Sequence, residues 1–301
     1  MTNEAQARAN GIAYPYPGFR GTVASALREY PQVVGTSTVQ VYGTPLGFSN
    51  YQSLQVAVNR QVTNGVSVFA NYVWSKVLTN TTSSMASKNG APFDYYNLKL
   101  DKTFSDGDVP HALKITFFAD LPFGRGKALL GNAPRVVNHL IGGWNVSGIM
   151  NYIAATALSF SGSTPLSGGW NGGSNRDNVL SGDLHAADFD KSSFTLANTS
   201  SASNTYIAKS QFSQPAALTL GTAARRFGQL RGFGTINEDF VLRKALLNRE
   251  RYRWLIRAEF LNAFNRSTLG GINTNVNNAL FGQVTSISGY RQIQLVTRFE
   301  F

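Results

Sequence analysis

The chain has no cysteine among its 301 residues, so neither a disulfide framework nor a thiolate metal site is open to it. It has no run of about 18 apolar residues, which excludes a transmembrane helix on length. Strands escape that limit, because a membrane strand needs only about 9–11 residues, half of them apolar. Charged residues are scarce at 14%, against a usual quarter. His111, His139 and His185 have no second histidine at ligand spacing, so zinc is not expected. Asp183, His185, Asp188 and Asp190 lack the glycine turn and bidentate glutamate of a calcium loop and read as solvated loop. No Ser-His-Asp arrangement, paired catalytic carboxylates or phosphate loop is evident. Gly124-Arg-Gly126 and Gly168-Gly-Trp-Asn-Gly-Gly173 are turns, since neither joins a strand to a helix. Catalysis, metals and cofactors are therefore not expected. The first eight residues, Met1 to Arg8, lack the basic, apolar and small-residue zones of an export signal.

What fills the space is Gly (29 residues), Tyr (12) and Phe (20), with Asn, Ser and Thr, a composition of strands and turns. The net charge of +11 comes from 27 basic and 16 acidic residues. The bases are scattered singly along strand positions. Their clusters, Arg225-Arg226 and Arg249, Arg251, Arg253, are small, so nucleic acid is not an expected partner. A solvated interior and a loop surface beside anionic lipid account for the charge.

Seven segments alternate apolar with polar, the period of a strand. In 51–61, Leu54, Val56 and Val58 oppose Gln55 and Asn59. In 65–77, Val66, Val68, Ala70, Tyr72 and Trp74 oppose Ser67, Asn71 and Ser75. In 110–121, His111, Leu113, Ile115, Phe117, Ala119 and Leu121 oppose Lys114, Thr116 and Asp120. In 142–157, Trp144, Val146, Met150, Tyr152 and Ala154 oppose Asn145, Ser147 and Asn151. In 236–246, Phe240, Leu242 and Leu246 oppose Asp239 and Arg243. In 251–264, Tyr252, Trp254, Ile256, Ala258, Phe260 and Phe264 oppose Arg251, Arg253, Arg257 and Glu259. In the last, 290–301, Ile293, Leu295, Thr297, Phe299 and Phe301 oppose Gln292, Gln294, Val296, Arg298 and Glu300.

Alternation does not say which face is covered. A β-sandwich buries the apolar row, and a barrel turns it toward lipid. Three features favour lipid. The segments run to 10 residues or more, where globular strands average about 5–6. Connections alternate in length: Val62-Thr-Asn-Gly65 and Leu247-Asn-Arg-Glu250 are tight, whereas 79–109, 158–235 and 266–288 are long. Residues 122–141 are the exception, a longer connection on the short-turn rim, with a short helical turn expected at 136–141. Aromatics also sort by rim. With the carboxy-terminus periplasmic, Trp144, Tyr252, Trp254, Phe299 and Phe301 fall at the inner rim, and Tyr72, Trp74, Tyr152 and Phe264 toward the outer one, as two headgroup girdles. The fold expected is all-β: an antiparallel up-and-down meander of about seven long strands, part of a transmembrane β-barrel. Residues 1–50 would be an extracellular loop segment and 51–301 the wall with its outer loops.

Several motifs resemble one family. Asn71-Tyr-Val-Trp-Ser-Lys76, Asp106-Gly-Asp-Val-Pro-His111, Leu121-Pro-Phe-Gly-Arg-Gly126, Gly142-Gly-Trp-Asn-Val-Ser-Gly148, Arg257-Ala-Glu-Phe-Leu-Asn-Ala-Phe-Asn265 and Phe281-Gly-Gln283 are similar to the carboxy-terminal barrel of TonB-dependent outer-membrane receptors. The Oar-like branch, with its carboxypeptidase-regulatory-like front domain, matches most closely. The resemblance implies a barrel of about 22 strands around a plug, energised uptake of a scarce nutrient through TonB, and residence in the outer membrane. It also implies partners: lipid and lipopolysaccharide, the barrel-assembly machinery, a plug, TonB, and a small-molecule, glycan or peptide ligand. No plug, TonB-contacting box or earlier strands are present here. The chain therefore reads as the last third of a receptor, beginning in an extracellular loop.

Three groups of residues carry the functional expectations. The terminal strand, with Ile293, Leu295, Phe299 and Phe301, would be the barrel-assembly signal. Asp120, Arg243, Arg253, Arg257, Glu259, Arg298 and Glu300 would face the lumen and pair across strands, since Arg or Lys facing mid-bilayer lipid costs about 2–4 kcal/mol. Trp170, Phe189, Phe194 and Tyr206, in a Ser/Gly/Asn-rich loop whose stretches 159–182 and 198–204 read as mobile surface, would contact a ligand or pack the loop. The second reading is an independent structural or adhesive module: an oligomeric barrel built from several chains, or a secreted β-sandwich.

Overall fold

The alternating segments form the strands of one sheet. A computed structural model describes residues 8–9, 11–21, 23–26, 30–32, 47–62, 65–81, 93, 97–160, 176–180, 182–196, 201–216, 220–248 and 251–301. The wall strands are β1 (Ser49–Val62), β2 (Val66–Thr79), β3 (His111–Asp120), β4 (Trp144–Ile153), β5 (Thr235–Asn248), β6 (Arg253–Leu261) and β7 (Gln292–Glu300). They lie side by side in chain order, each antiparallel to the next, as an up-and-down meander. Among the described residues the sheet does not close: β1 and β7 are its two edges.

Register carries the alternation across the sheet. Val56 lies opposite Tyr72, Tyr72 opposite Leu113, and Leu113 opposite Tyr152. Farther on, Val146 lies opposite Leu242, Leu242 opposite Ala258, and Ala258 opposite Leu295. All the apolar rows therefore share one face. Gly148 lets that face close up, because a Cβ there would stand 2.5 Å from the Phe240 ring and 2.7 Å from that of Phe117.

The sheet is one layer thick. Among the described residues, no buried apolar side chain belongs to β1–β7, while Leu54, Trp74, Trp254, Ile293, Leu295 and Phe299 are exposed. A sandwich would have hidden this row. The core lies instead in the long connections, where Leu184, Ile207, Phe212, Leu230, Val276 and Phe281 form a buried cluster. Phe160 stacks on Phe212 at 4.9 Å, and Phe281 meets Phe212 edge-on at 5.2 Å. The described parts of 158–235 and 266–291 are thus a packed cap at the rim of long connections. This corrects the expectation of a mobile surface for 201–204, the described part of 198–204. Asn204 there is fully buried, its side-chain amide donating to Thr195 O at 2.8 Å and its backbone carbonyl accepting from Val284 N at 2.9 Å.

Three other features differ from the sequence reading, the first being that β4 stops at Ile153, short of residue 157. The register of β5 against β6 shifts between Ala245 and Leu247, so Leu247, not Leu246, stands opposite Trp254. An extra residue at a bulge moves every later side chain to the other face. At the top of β6 the strand stops at Leu261, where Asn262 and Asn265 take left-handed φ values of 50° and 51°. Asparagine tolerates that region because its side chain bonds locally. Asn262 accepts from Arg266 N and donates to Arg266 O, both at 2.8 Å, and its own N–H reaches Asp239 Oδ1 at 2.8 Å.

The long connection on the short-turn rim holds α1 (Arg135–Ile141). Pro134 precedes it and Gly142-Gly143 end it, Gly143 at φ 72°, a start and stop pattern matched to helix termini.

Candidate functional site

The face opposite the apolar rows carries the charges. Asp120, on β3, is opposite Asn145 and accepts a hydrogen bond from its amide. Arg243 on β5 stands between Asn145 on one side and Arg257 on the other. Arg257 Nε reaches Glu259 Oε1 at 2.8 Å, and Arg298 Nε reaches Glu300 Oε1 at 2.8 Å. Arg253 is opposite Glu300 at 3.9 Å. The two close pairs therefore lie along a strand, and the cross-strand pair is the loose one. Pairs this exposed contribute about 0–1 kcal/mol. Their effect is to make the face wettable, and the Arg243–Arg257 juxtaposition leaves it an excess of positive charge.

Polar residues also interrupt the apolar face, and three of them, His111, Glu238 and Lys244, have partners. At the long-connection rim His111 Nδ1 and the Tyr72 hydroxyl are 2.9 Å apart. Glu238 is buried there. It accepts from the Tyr152 hydroxyl at 3.0 Å, and Arg266 Nε lies 2.9 and 2.8 Å from its two oxygens. That hydrogen bond raises the Arg266 guanidinium above its ordinary value. At the opposite rim Lys244 is buried over Trp144, its Nζ donating to His139 O and, at 2.9 Å, to Leu140 O.

The aromatics sort as the register dictates. Trp144 lies opposite Lys244 and Trp254 opposite Phe299 at the short-turn rim, where Tyr252 stacks on Phe299 and Phe299 on Phe301. Tyr72, Trp74 and Tyr152 lie at the other end of the same face. Ile293, Leu295, Phe299 and Phe301 all point outward and are exposed.

Two buried carboxylates of the 79–109 connection bind the cap, and the second of them also reaches the wall. Asp101 accepts from Phe93 N at 2.7 Å and pairs with both Arg176 and Arg225, the latter at 2.6 Å. Burial lowers both guanidiniums, against the raising effect of Asp101. Asp108 accepts from Val77 N of β2 at 2.6 Å and pairs with Arg231 at 2.7 Å. The sequence showed Asp108 only as part of a motif and Arg225 only as part of a basic pair, because the partners lie up to 124 positions away.

Of the aromatic residues expected near a ligand, Trp170 lies outside the described residues. Phe189 and Tyr206 pack edge-on at 5.1 Å, Phe233 lies 5.0 Å from Tyr206, and the Tyr206 hydroxyl donates to Arg231 O at 2.9 Å. Burial raises the Tyr206 phenol. Phe194, half-buried, follows a turn in which Asp190 accepts from Ser192 and Ser193, bonds that hold Asp190 below the usual carboxylate range. Among the described residues no group of three or more His, Asp or Glu side chains is placed to hold a metal.

A single antiparallel layer with one apolar and one charged face, tight turns at one rim and a folded cap at the other is the construction of a membrane β-barrel wall. The chain matches the family described as outer membrane beta barrel domain over residues 3–294, and it belongs to that family and to the outer membrane. No curated protein and no solved structure matches it.

Proposed function

We propose that the chain is part of the wall of a TonB-dependent receptor, a non-enzymatic component of energised nutrient uptake. The observation carrying this reading is the pair of open edges. β1 runs 14 residues and β7 nine, and neither has an outer neighbour among the described residues. An unpaired backbone N–H or C=O in lipid costs several kcal/mol, so further strands must complete the wall. A wall wider than these strands encloses a space large enough for a plug. The charged face, with Arg243 opposite Arg257, suits an acidic or hydrated plug surface, and the packed cap suits ligand capture from outside. The motifs from Asn71 to Gln283 add the family likeness. Lipopolysaccharide would surround the cap, and the barrel-assembly machinery would take up β7.

The test has two arms. Refolded alone in vesicles, the 301-residue chain should give no heat-modifiable, ion-conducting monomer; such a monomer would overturn the open wall, and a cross-linked ring of identical chains would establish the oligomeric barrel instead. In cells, iron chelates, oligosaccharides and peptides offered as limiting nutrients should reveal one whose uptake needs the gene and stops with a protonophore. Gene-dependent uptake that survives the protonophore would refute the receptor reading.

A further inference from the structure

Residues 122–143 form the one connection of the short-turn rim that is not a tight turn, and it is built rather than slack. Leu129 N donates to Pro122 O at 2.8 Å, Gly124 N to Leu129 O at 3.0 Å, and Arg125 N to Asn138 Oδ1 at 2.6 Å. Gly124 and Gly142 pack so closely that a Cβ on Gly124 would stand 2.9 Å from Gly142 Cα. The hairpin and α1 are therefore a single unit.

That unit sits on the outer face of the wall. Lys244 and Trp144 lie opposite each other in the same rows as Leu242 and Val146, which face lipid. From there Lys244 Nζ donates to His139 O and Leu140 O, and Trp144 Nε1 to Leu140 O at 3.0 Å. A cation on the last carbonyls of a helix is favoured by the helix dipole. It also explains how a lysine is tolerated in an apolar row. Asn138 points back to the hairpin, which leaves Val136 and Leu140, one turn apart, on the free side, 74% and 68% exposed. Leu129 and Leu130 of the hairpin are exposed as well. Arg125, Lys127 and Arg135 stand among them, and no acidic residue occurs between 122 and 143. Apolar side chains at the girdle level, flanked only by basic ones and continuous with the lipid-facing wall, match the chemistry of a phospholipid interface.

We propose that residues 122–143 are a leaflet anchor, which seats Val136 and Leu140 at the acyl boundary of the periplasmic leaflet and places Arg125, Lys127 and Arg135 on anionic phospholipid headgroups. The rim is periplasmic because short turns of outer-membrane barrels lie on that side. The inference rests on the wall's orientation and is independent of what the protein transports.

The absence of cysteine makes the test direct. Val136→Cys, Leu140→Cys and, on the polar face at the same rim, Ser67→Cys are introduced singly. Each protein is purified from the outer membrane in its native assembly, labelled with a fluorophore, and reconstituted into phosphatidylcholine vesicles with and without phosphatidylglycerol. Lipids bearing a spin label high on the acyl chain should quench the 136 and 140 labels severalfold more than the 67 label. Phosphatidylglycerol should deepen that quenching, and Arg125→Gln, Lys127→Gln and Arg135→Gln combined should abolish the increment. Lys244→Met, in protein that still shows heat-modifiable migration, should reduce it by freeing α1. Labels at 136 and 140 reached by aqueous iodide as freely as the one at 67 would overturn the anchor, as would protection from both iodide and spin-labelled lipid, the sign of a protein neighbour. Quenching indifferent to phosphatidylglycerol would overturn the headgroup assignment.

Discussion

At the scale of single residues, the buried carboxylates decide the architecture of the cap. Asp101 pairs with both Arg176 and Arg225, and it is almost fully enclosed. Removing one partner from a buried ionic cluster costs about 3–5 kcal/mol, because the charge left behind has lost its solvent. Asp101→Asn keeps the shape and leaves two guanidiniums facing a neutral amide. Protease added to intact cells should then cut the cap while the wall stays heat-modifiable; unchanged cleavage would mean that the apolar cluster alone holds the cap. None of this was visible in the sequence. An aspartate with Lys99 and Lys102 beside it in a long connection looks solvated until folding brings distant arginines to it. The lipid-face lysine was hidden for a similar reason: its partners are backbone carbonyls of a helix about a hundred positions earlier.

At the scale of the element, the period-two pattern was the legible part. It located all seven wall strands because lipid outside and water inside impose opposite demands on neighbouring residues. It failed where the backbone left the pattern: past Ile153, where β4 stops short of residue 157, at the β5 bulge that exchanges Leu246 for Leu247, and at the left-handed Asn262 turn that ends β6. The cap was illegible because its apolar residues obey no local period; Leu184, Ile207, Phe212 and Leu230 meet only through tertiary packing. The wall pattern makes a sharp prediction for adjacent residues. Ile115 and Thr116 lie mid-strand on opposite faces of β3. Ile115→Lys should destabilise the inserted protein by about 2–4 kcal/mol, and Thr116→Lys by much less. Urea titration of the native assembly in vesicles measures both, and equal losses would contradict the assigned faces.

At the scale of the whole molecule, β7 is an edge with four outward apolar side chains, Ile293, Leu295, Phe299 and Phe301, and Phe301 is 92% exposed. An edge so apolar is an aggregation hazard in water, and we propose that an assembly factor captures it before insertion. Phe299→Ala with Phe301→Ala should lower the amount of protein in the outer membrane severalfold, with degraded material in the periplasm, as immunoblots of fractionated cells would show. Undiminished outer-membrane levels would mean that recognition lies elsewhere.

The apolar cluster of the cap stands in water and the wall stands in oil, so one chain answers to two solvents. Burial driven by water weakens as temperature falls, whereas backbone ladders surrounded by hydrocarbon have no water competing for their hydrogen bonds. Chilling therefore acts on one half of the protein: the folded connections loosen while the strands beside them keep their form.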